Sequence, residues 1–234
     1  MKVLSVVCAR AGSKGLKNKC VAQIGNKMVV EYSIDYSLSL GSDVRTVVST
    51  DIEELIDYCK ARTIEYIHRE PHLCTDECRI TDALADAIEK RGKDCEYTSL
   101  VYGNIPTRYP EIFHKALSFL EKNEEYDAGI SMQNVEKFNP EWMFDLNEEI
   151  VPRVKQRDYQ RQRLPQKMIH DGHSVVFKSG DFYKRYKGIL PYEAEYAYSI
   201  FGSKIKPLIN NKVIIDIDTE KDLRMAEAFF GAHA

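Results

Sequence analysis

The sequence predicts a doubly wound α/β fold built on a mostly parallel sheet. Three observations predict it: a nearly continuous apolar run at Val3–Ala9, strand-like and helix-like segments that alternate through the first half of the chain, and short polar connections between them. A strand apolar at almost every position is buried on both faces, which is the situation inside a parallel sheet covered by helices.

The elements follow in order. "VLSVVCA" is the first strand, and residues 28–41 read as a helix stopped by Gly41. "RTVVST" is the second strand, followed by a helix over residues 51–62 that Thr50 or Asp51 could cap. "IEYIHR" is a weaker third strand. Residues 79–92 place Ile80, Leu84, Ala87 and Ile88 at helical spacing before Gly92. "YTSLVYG" is a fourth strand, and residues 110–123 form a helix with Pro110 in its first turn. The rhythm then changes. Residues 127–133, 141–146, 148–154 and 173–179 read as strands without helices between them, around a charged stretch, "KQRDYQRQRLPQK". Residues 135–191 are therefore expected to form a β-rich dimerisation excursion within a single domain spanning residues 1–234. Residues 211–230 close the chain as a strand, an acidic turn and an amphipathic helix.

Composition excludes several classes. The net charge is −3, whereas nucleic-acid binders carry a broad basic excess. No apolar stretch approaches membrane-spanning length, and Val3–Ala9 is too short for a signal-peptide core. The six cysteines are scattered, which reads as reduced thiols in a cytoplasmic protein. His68, His72, Cys74 and Cys78 fit no common zinc spacing.

Positive charge is instead local. "CARAGSKGLKNK", residues 8–19, leaves the first strand at its carboxyl end, where open α/β sheets bind ligands. Gly12 and Gly15 let main-chain amides approach an anion, and Arg10, Lys14, Lys17 and Lys19 supply charge. Neither the P-loop spacing nor a dinucleotide fingerprint is present. The loop reads as a polyphosphate cradle, against the alternative of a solvated basic surface. Near the other end, "IIDIDTEKDL" sets Asp216 and Asp218 at alternate positions, so both carboxylates project to one side. Few, hard oxygen ligands suit Mg²⁺, and the alternative is a cap on the last helix by Asp218 or Thr219.

These residues resemble the sugar cytidylyltransferases, the acylneuraminate (CMP-sialic acid) synthetase family. The matching segments are "ARAGSKG" with Lys19, "VSTD" at 48–51, "REPHLCTD" with Arg69 and Asp76, "RQRLPQ" at 161–166 and the acidic turn. The resemblance implies a Rossmann-like nucleotidyltransferase that joins CTP to the anomeric hydroxyl of an acidic sugar, with Mg²⁺ as cofactor and a homodimeric assembly. It implies that Arg10, Lys14, Lys19 and Arg161 act in catalysis. Gly12, Ser13, Arg69, Asp76 and Asn104 would bind the nucleotide, Gln162, His170 and Asp171 the sugar, and Asp216 and Asp218 the metal. The sequence departs from the family pattern at Cys20, Tyr102, Asn104, Cys78 and Ile169, so the triphosphate half is kept while the base and sugar halves have drifted. Two other readings remain open at this point, a different sugar or nucleotide on the same fold, and a nucleotide-binding module without catalysis.

Overall fold

Alternation within Val3–Ala9 (β1) determines the layering of the whole molecule. Val3, Val7 and Ala9 face one side, Leu4, Val6 and Cys8 the other, and every residue of the strand is buried. A computed structural model describes residues 2–12, 15–146, 150–152 and 160–232. In it β1 is followed by a two-residue hairpin, Gln23–Ile24 (β2) and Lys27–Met28 (β3), and then by Val29–Ser39 (α1), Val44–Thr50 (β4), Glu53–Ala61 (α2), Tyr66–His68 (β5) and Ile80–Arg91 (α3). Tyr97–Tyr102 (β6), Pro110–Lys122 (α4) and Ala128–Asn134 (β7) complete the half that the sequence makes legible.

Phe144–Leu146 (β8) and Ile150–Pro152 (β9) pair as a separate antiparallel hairpin. Met168–Lys178 (β10), Ser179–Tyr186 (α5), Ile205–Ile209 (β11) and Glu220–Gly231 (α6) follow. The central sheet has the order β11-β7-β10-β6-β1-β4-β5. All its pairings are parallel except those of β10, which runs antiparallel to both β6 and β7. Helices α1, α2 and α4 pack on the Val3/Val7 side through Ile34, Leu55 and Phe113, while α3 and α5 pack on the Leu4/Val6 side through Leu84 and Phe182. Ser5 is the polar member of the first side. Its hydroxyl accepts from Ser37 of α1 at 2.6 Å, so the buried oxygen is satisfied.

The expected excursion is shorter than residues 135–191. Residues 168–178 are a strand of the main sheet, and α5 packs on that sheet. The helix escaped notice because "SGDFYKRY" buries chiefly Phe182 and Arg185 among polar neighbours. The expected strand before the acidic turn does not join the sheet either. Ile215 N–H donates to Thr107 Oγ1 at 2.9 Å and Ile217 N–H to Asn104 O at 3.0 Å, so this segment pairs with the turn after β6 instead. Nor is α2 capped as expected: its N-cap is Ile52, with Thr50 Oγ1 accepting the Ile52 amide at 3.0 Å.

β10 carries a register shift against β7 between His170 and Val175. Gly172, at φ +74°, lies within it, and a Cβ there would fall 2.5 Å from Ile105 Cδ1. Left-handed backbone and close approach both demand glycine. Gly172→Ala is expected to lose about 1–3 kcal/mol of stability, read as a lower urea midpoint at unchanged slope. A midpoint equal to wild type would show that the bulge relaxes freely.

Candidate active site

The basic loop is fixed at the carboxyl end of β1 by its neighbours. Ala11 N–H donates to Asp51 Oδ1 at 2.7 Å, tying the loop to the residue that follows β4. The Arg10 guanidinium reaches Asp76 Oδ1 at 2.9 Å and the Cys74 carbonyl at 3.3 Å. Gly12 takes φ +76°. Ser13 and Lys14 lie outside the described residues. Gly15 sits against the acidic turn so closely that a Cβ would lie 2.2 Å from Asp218 O, and the adjacent Leu16 N–H donates to that same oxygen at 2.8 Å. Main-chain oxygen cannot yield as a flexible side chain can. Gly15→Ala is therefore expected to separate loop from turn and weaken nucleotide binding about tenfold, the scale of one lost hydrogen bond. Calorimetric titration with nucleotide checks this.

Ile215 and Ile217 are buried in a cluster with α6 and the β2–β3 hairpin, which leaves Asp216 and Asp218 on the opposite side. The helix cap is supplied by other residues. Thr219 is the N-cap of α6 and forms a capping box with Asp222, whose carboxylate accepts the Thr219 and Asp218 amides at 2.8 and 3.2 Å. The carboxylates of Asp216 and Asp218 are not used by the helix cap, and Asp218 lines the cleft between loop and turn, with Asp216 beside that cleft's Asn104. Lys19 Nζ donates to Asp218 Oδ1 at 2.5 Å, and Asn104 Nδ2 to Asp216 Oδ1 at 2.5 Å. Desolvation, and then the neighbouring Asp218 carboxylate, raise the pKa of Asp216. Two like charges brought together in this way fit a hard divalent cation that takes its remaining ligands from water and phosphate. Among the described residues no group of three or more His, Cys, Asp or Glu could hold a metal.

Between loop and turn lies a cleft of about 430 Å³ whose lining includes Arg10, Lys19, Arg69, Tyr102, Asn104 and Asp218. Arg69 is only 5% exposed, its Nε donates to Ser49 Oγ at 2.9 Å, and its Nη2 is buried with no partner among the described residues. A buried guanidinium nitrogen without an acceptor is costly and suits an anionic ligand. Cys8 and Cys20 also line the cleft. Burial pushes both thiols up, Cys20 to about 11, so neither offers a thiolate nucleophile near neutrality.

The sugar-side residues expected from the sequence are not gathered here. Asp171 is occupied by structure: Oδ1 accepts Ser131 Oγ at 2.5 Å and the His173 amide at 2.9 Å, and Oδ2 accepts Asn210 Nδ2 at 2.8 Å. It holds the β10 bulge to β7 and to the end of β11, and it is not among the residues that line the cleft. Asn104 lines the cleft and is bonded to the acidic turn, through Asp216 and the Ile217 carbonyl at 3.2 Å. His170 is outside the cleft lining, with Nδ1 3.0 Å from Tyr198 Oη and Nε2 buried without a partner among the described residues. Burial lowers its pKa. Gln162 is exposed in the 3-10 turn Arg161–Arg163, and the side chain of Arg161 falls outside the described residues.

Arg108 and His173 brace the turn after β6, an arrangement not legible in the sequence. Arg108 folds beneath the turn after β6, with Nε donating to Ile105 O at 2.8 Å, Nη1 to His173 O at 2.7 Å and Nη2 to Tyr102 O. Desolvation lowers its pKa to about 10. His173 Nε2 accepts the Tyr109 amide at 2.8 Å, and burial together with Arg108 brings its pKa down to about 3, leaving it neutral. Together they pose the turn that presents Asn104. Nothing in the local sequence around Arg108 says which carbonyls the arginine reaches.

A family model described as Cytidylyltransferase matches residues 4–229. The chain is 26% identical over 227 residues to an N-acylneuraminate cytidylyltransferase of Streptococcus agalactiae serotype V, across 95% of this chain and 52% of that protein. It thus spans about half the length of the first curated relatives it matches. It is 21% identical over 234 residues to a pseudaminic acid cytidylyltransferase of Campylobacter jejuni, across 98% and 97% of the two chains. A solved CMP:2-keto-3-deoxy-manno-octonic acid synthetase, complexed with CTP, has the same fold, with a TM-score of 0.77 at 15% identity and full coverage of both chains.

Proposed function

The chain belongs to the cytidylyltransferase family, and from that premise we propose that it transfers CMP from CTP to the anomeric hydroxyl of an acidic sugar of the nonulosonic type, releasing pyrophosphate. The observation that carries this reading is the cleft itself, where the cationic loop docks on the acidic turn through Leu16–Asp218 and Lys19 rests on the Asp218 carboxylate. Such a pairing of cations and a metal-type site is what a triphosphate requires. Relatives named for N-acylneuraminate and pseudaminic acid support the acceptor class.

Arg10, Lys19 and Arg69 would bind the triphosphate, and Lys19 would meet the charge that grows on the leaving pyrophosphate. Asp216 and Asp218 would hold Mg²⁺, which when bound polarises phosphoryl oxygens and offsets their charge. The acceptor oxygen forms a bond to the α-phosphorus as the bond from that phosphorus to the bridging oxygen breaks, and the hydroxyl proton leaves for solvent or a base. Arg108 and Asn104 would act by position, keeping the acidic turn opposite the loop. The test is pyrophosphate release on mixing the protein with CTP, Mg²⁺ and a panel of acidic sugars. Cys20 and Tyr102 line the cleft where the sequence departs from the family pattern, so the panel includes the other nucleoside triphosphates. No release with any combination would overturn the reading.

We assign the assembly as a homodimer on similar grounds. Phe138, Met143, Phe144 and Ile169 are exposed apolar side chains around the excursion, the kind of patch a second copy covers. Sedimentation at micromolar concentration should give a dimer, and a monomer would count against it. A cytoplasmic setting is supported by six free cysteines. Among the described residues no helix is long and apolar enough to cross a membrane.

A further inference from the structure

Two groups with opposite tasks in the proposed reaction are bound to each other. Lys19 Nζ, which should meet phosphate, sits 2.5 Å from Asp218 Oδ1, which should meet the metal. The lysine side chain is 18% exposed and that of Asp218 is 65% exposed. The pair is not what joins loop to turn, because Leu16 N–H already donates to the Asp218 carbonyl at 2.8 Å. The ammonium can therefore swing away on its four-carbon stem while the loop stays docked. Another cation of the loop is engaged in the same way, Arg10 resting on Asp76 at 2.9 Å.

A divalent cation approaching Asp218 meets a positive charge already in contact with one of its few oxygen ligands. We propose that Lys19 and the metal compete for Asp218: in the free protein the ammonium holds the carboxylate in the metal's place, and metal entry releases the ammonium to the phosphates. This rests on the metal reading of Asp216 and Asp218 given above. Metal and nucleotide then bind with positive coupling. Phosphate takes up the displaced ammonium, and each ligand assists the other by the same factor, as linkage requires. A lysine that served only the phosphates would leave the affinity for metal alone untouched.

The test needs no turnover. Binding of Mn²⁺ alone to the whole protein is measured from the electron paramagnetic resonance signal of the free ion, for wild type, Lys19→Met, Lys19→Arg and Asp218→Asn. Lys19→Met should bind Mn²⁺ about five- to tenfold tighter than wild type, the scale of an exposed ion pair plus one removed repulsive charge. Lys19→Arg, which keeps the charge, should match wild type, and Asp218→Asn should lose most of the binding. Lys19→Gln serves as the second neutral variant if Lys19→Met fails to fold by circular dichroism. Equal or weaker Mn²⁺ binding in the neutral variants overturns the competition. Absence of Mn²⁺ binding in wild type and variants alike overturns it too, by removing the metal site. Pyrophosphate release by wild type is read separately, so a failed competition in an active enzyme is distinct from a failed assignment of the reaction.

Discussion

Asp218→Ala should abolish transfer, lowering kcat by more than about 10³-fold, because losing a metal ligand forfeits several kcal/mol of transition-state stabilisation. The fold should survive the change. Thr219 and Asp222 cap α6 without the Asp218 carboxylate, and the bond from Leu16 goes to the main-chain oxygen, which alanine retains. An unchanged melting temperature with lost turnover is therefore the expected pair of results. Undiminished turnover of this variant, or full wild-type activity in excess chelator, would remove the metal from the reaction.

Lys19→Ala should lose about 10²–10³-fold in kcat, the scale for one preorganised electrostatic contact, with a smaller effect on ground-state binding. Its ammonium is a mobile point charge, suited to charge that develops as the α–β bond breaks. Arg10→Ala should cost both CTP affinity and rate, since a forked cation binds phosphate before and during reaction. Steady-state kinetics with CTP and sugar varied separately distinguish these effects. If either variant changed only the KM for the sugar, the loop would belong to the acceptor.

The elements legible in the sequence are those whose burial is written into consecutive positions. β1 is an apolar run, β4 is rich in β-branched residues, and α3 and α4 show helical spacing before their stop signals. β11 escaped because "IKPLI" is a short strand interrupted by proline that lies at the sheet edge, where proline is tolerated. The segment leading to the acidic turn reads as a strand because its isoleucines alternate, yet its partners are Thr107 and Asn104 and not a sheet neighbour. Periodicity reports which side is buried and not what buries it. The same limit applies to the site. Arg10, Lys19, Arg69, Asp76, Asn104 and Asp218 do meet in one cleft, whereas Asp171 lies outside its lining, bonded to Ser131, His173 and Asn210. Local sequence carries the type of each group, and long-range packing decides which groups remain free.

The bond between Lys19 and Asp218 joins positions 199 residues apart, and this constrains the order of events during folding. Contacts between distant positions form only after the cost of closing the intervening loop is met. The early strands and helices can organise around β1 while the acidic turn is still unplaced. Recovery of helical signal after dilution from denaturant should thus precede recovery of nucleotide binding. A ribosome-bound chain would display the basic loop long before it could close on a triphosphate. Competence is acquired last, when the acidic turn docks on the loop.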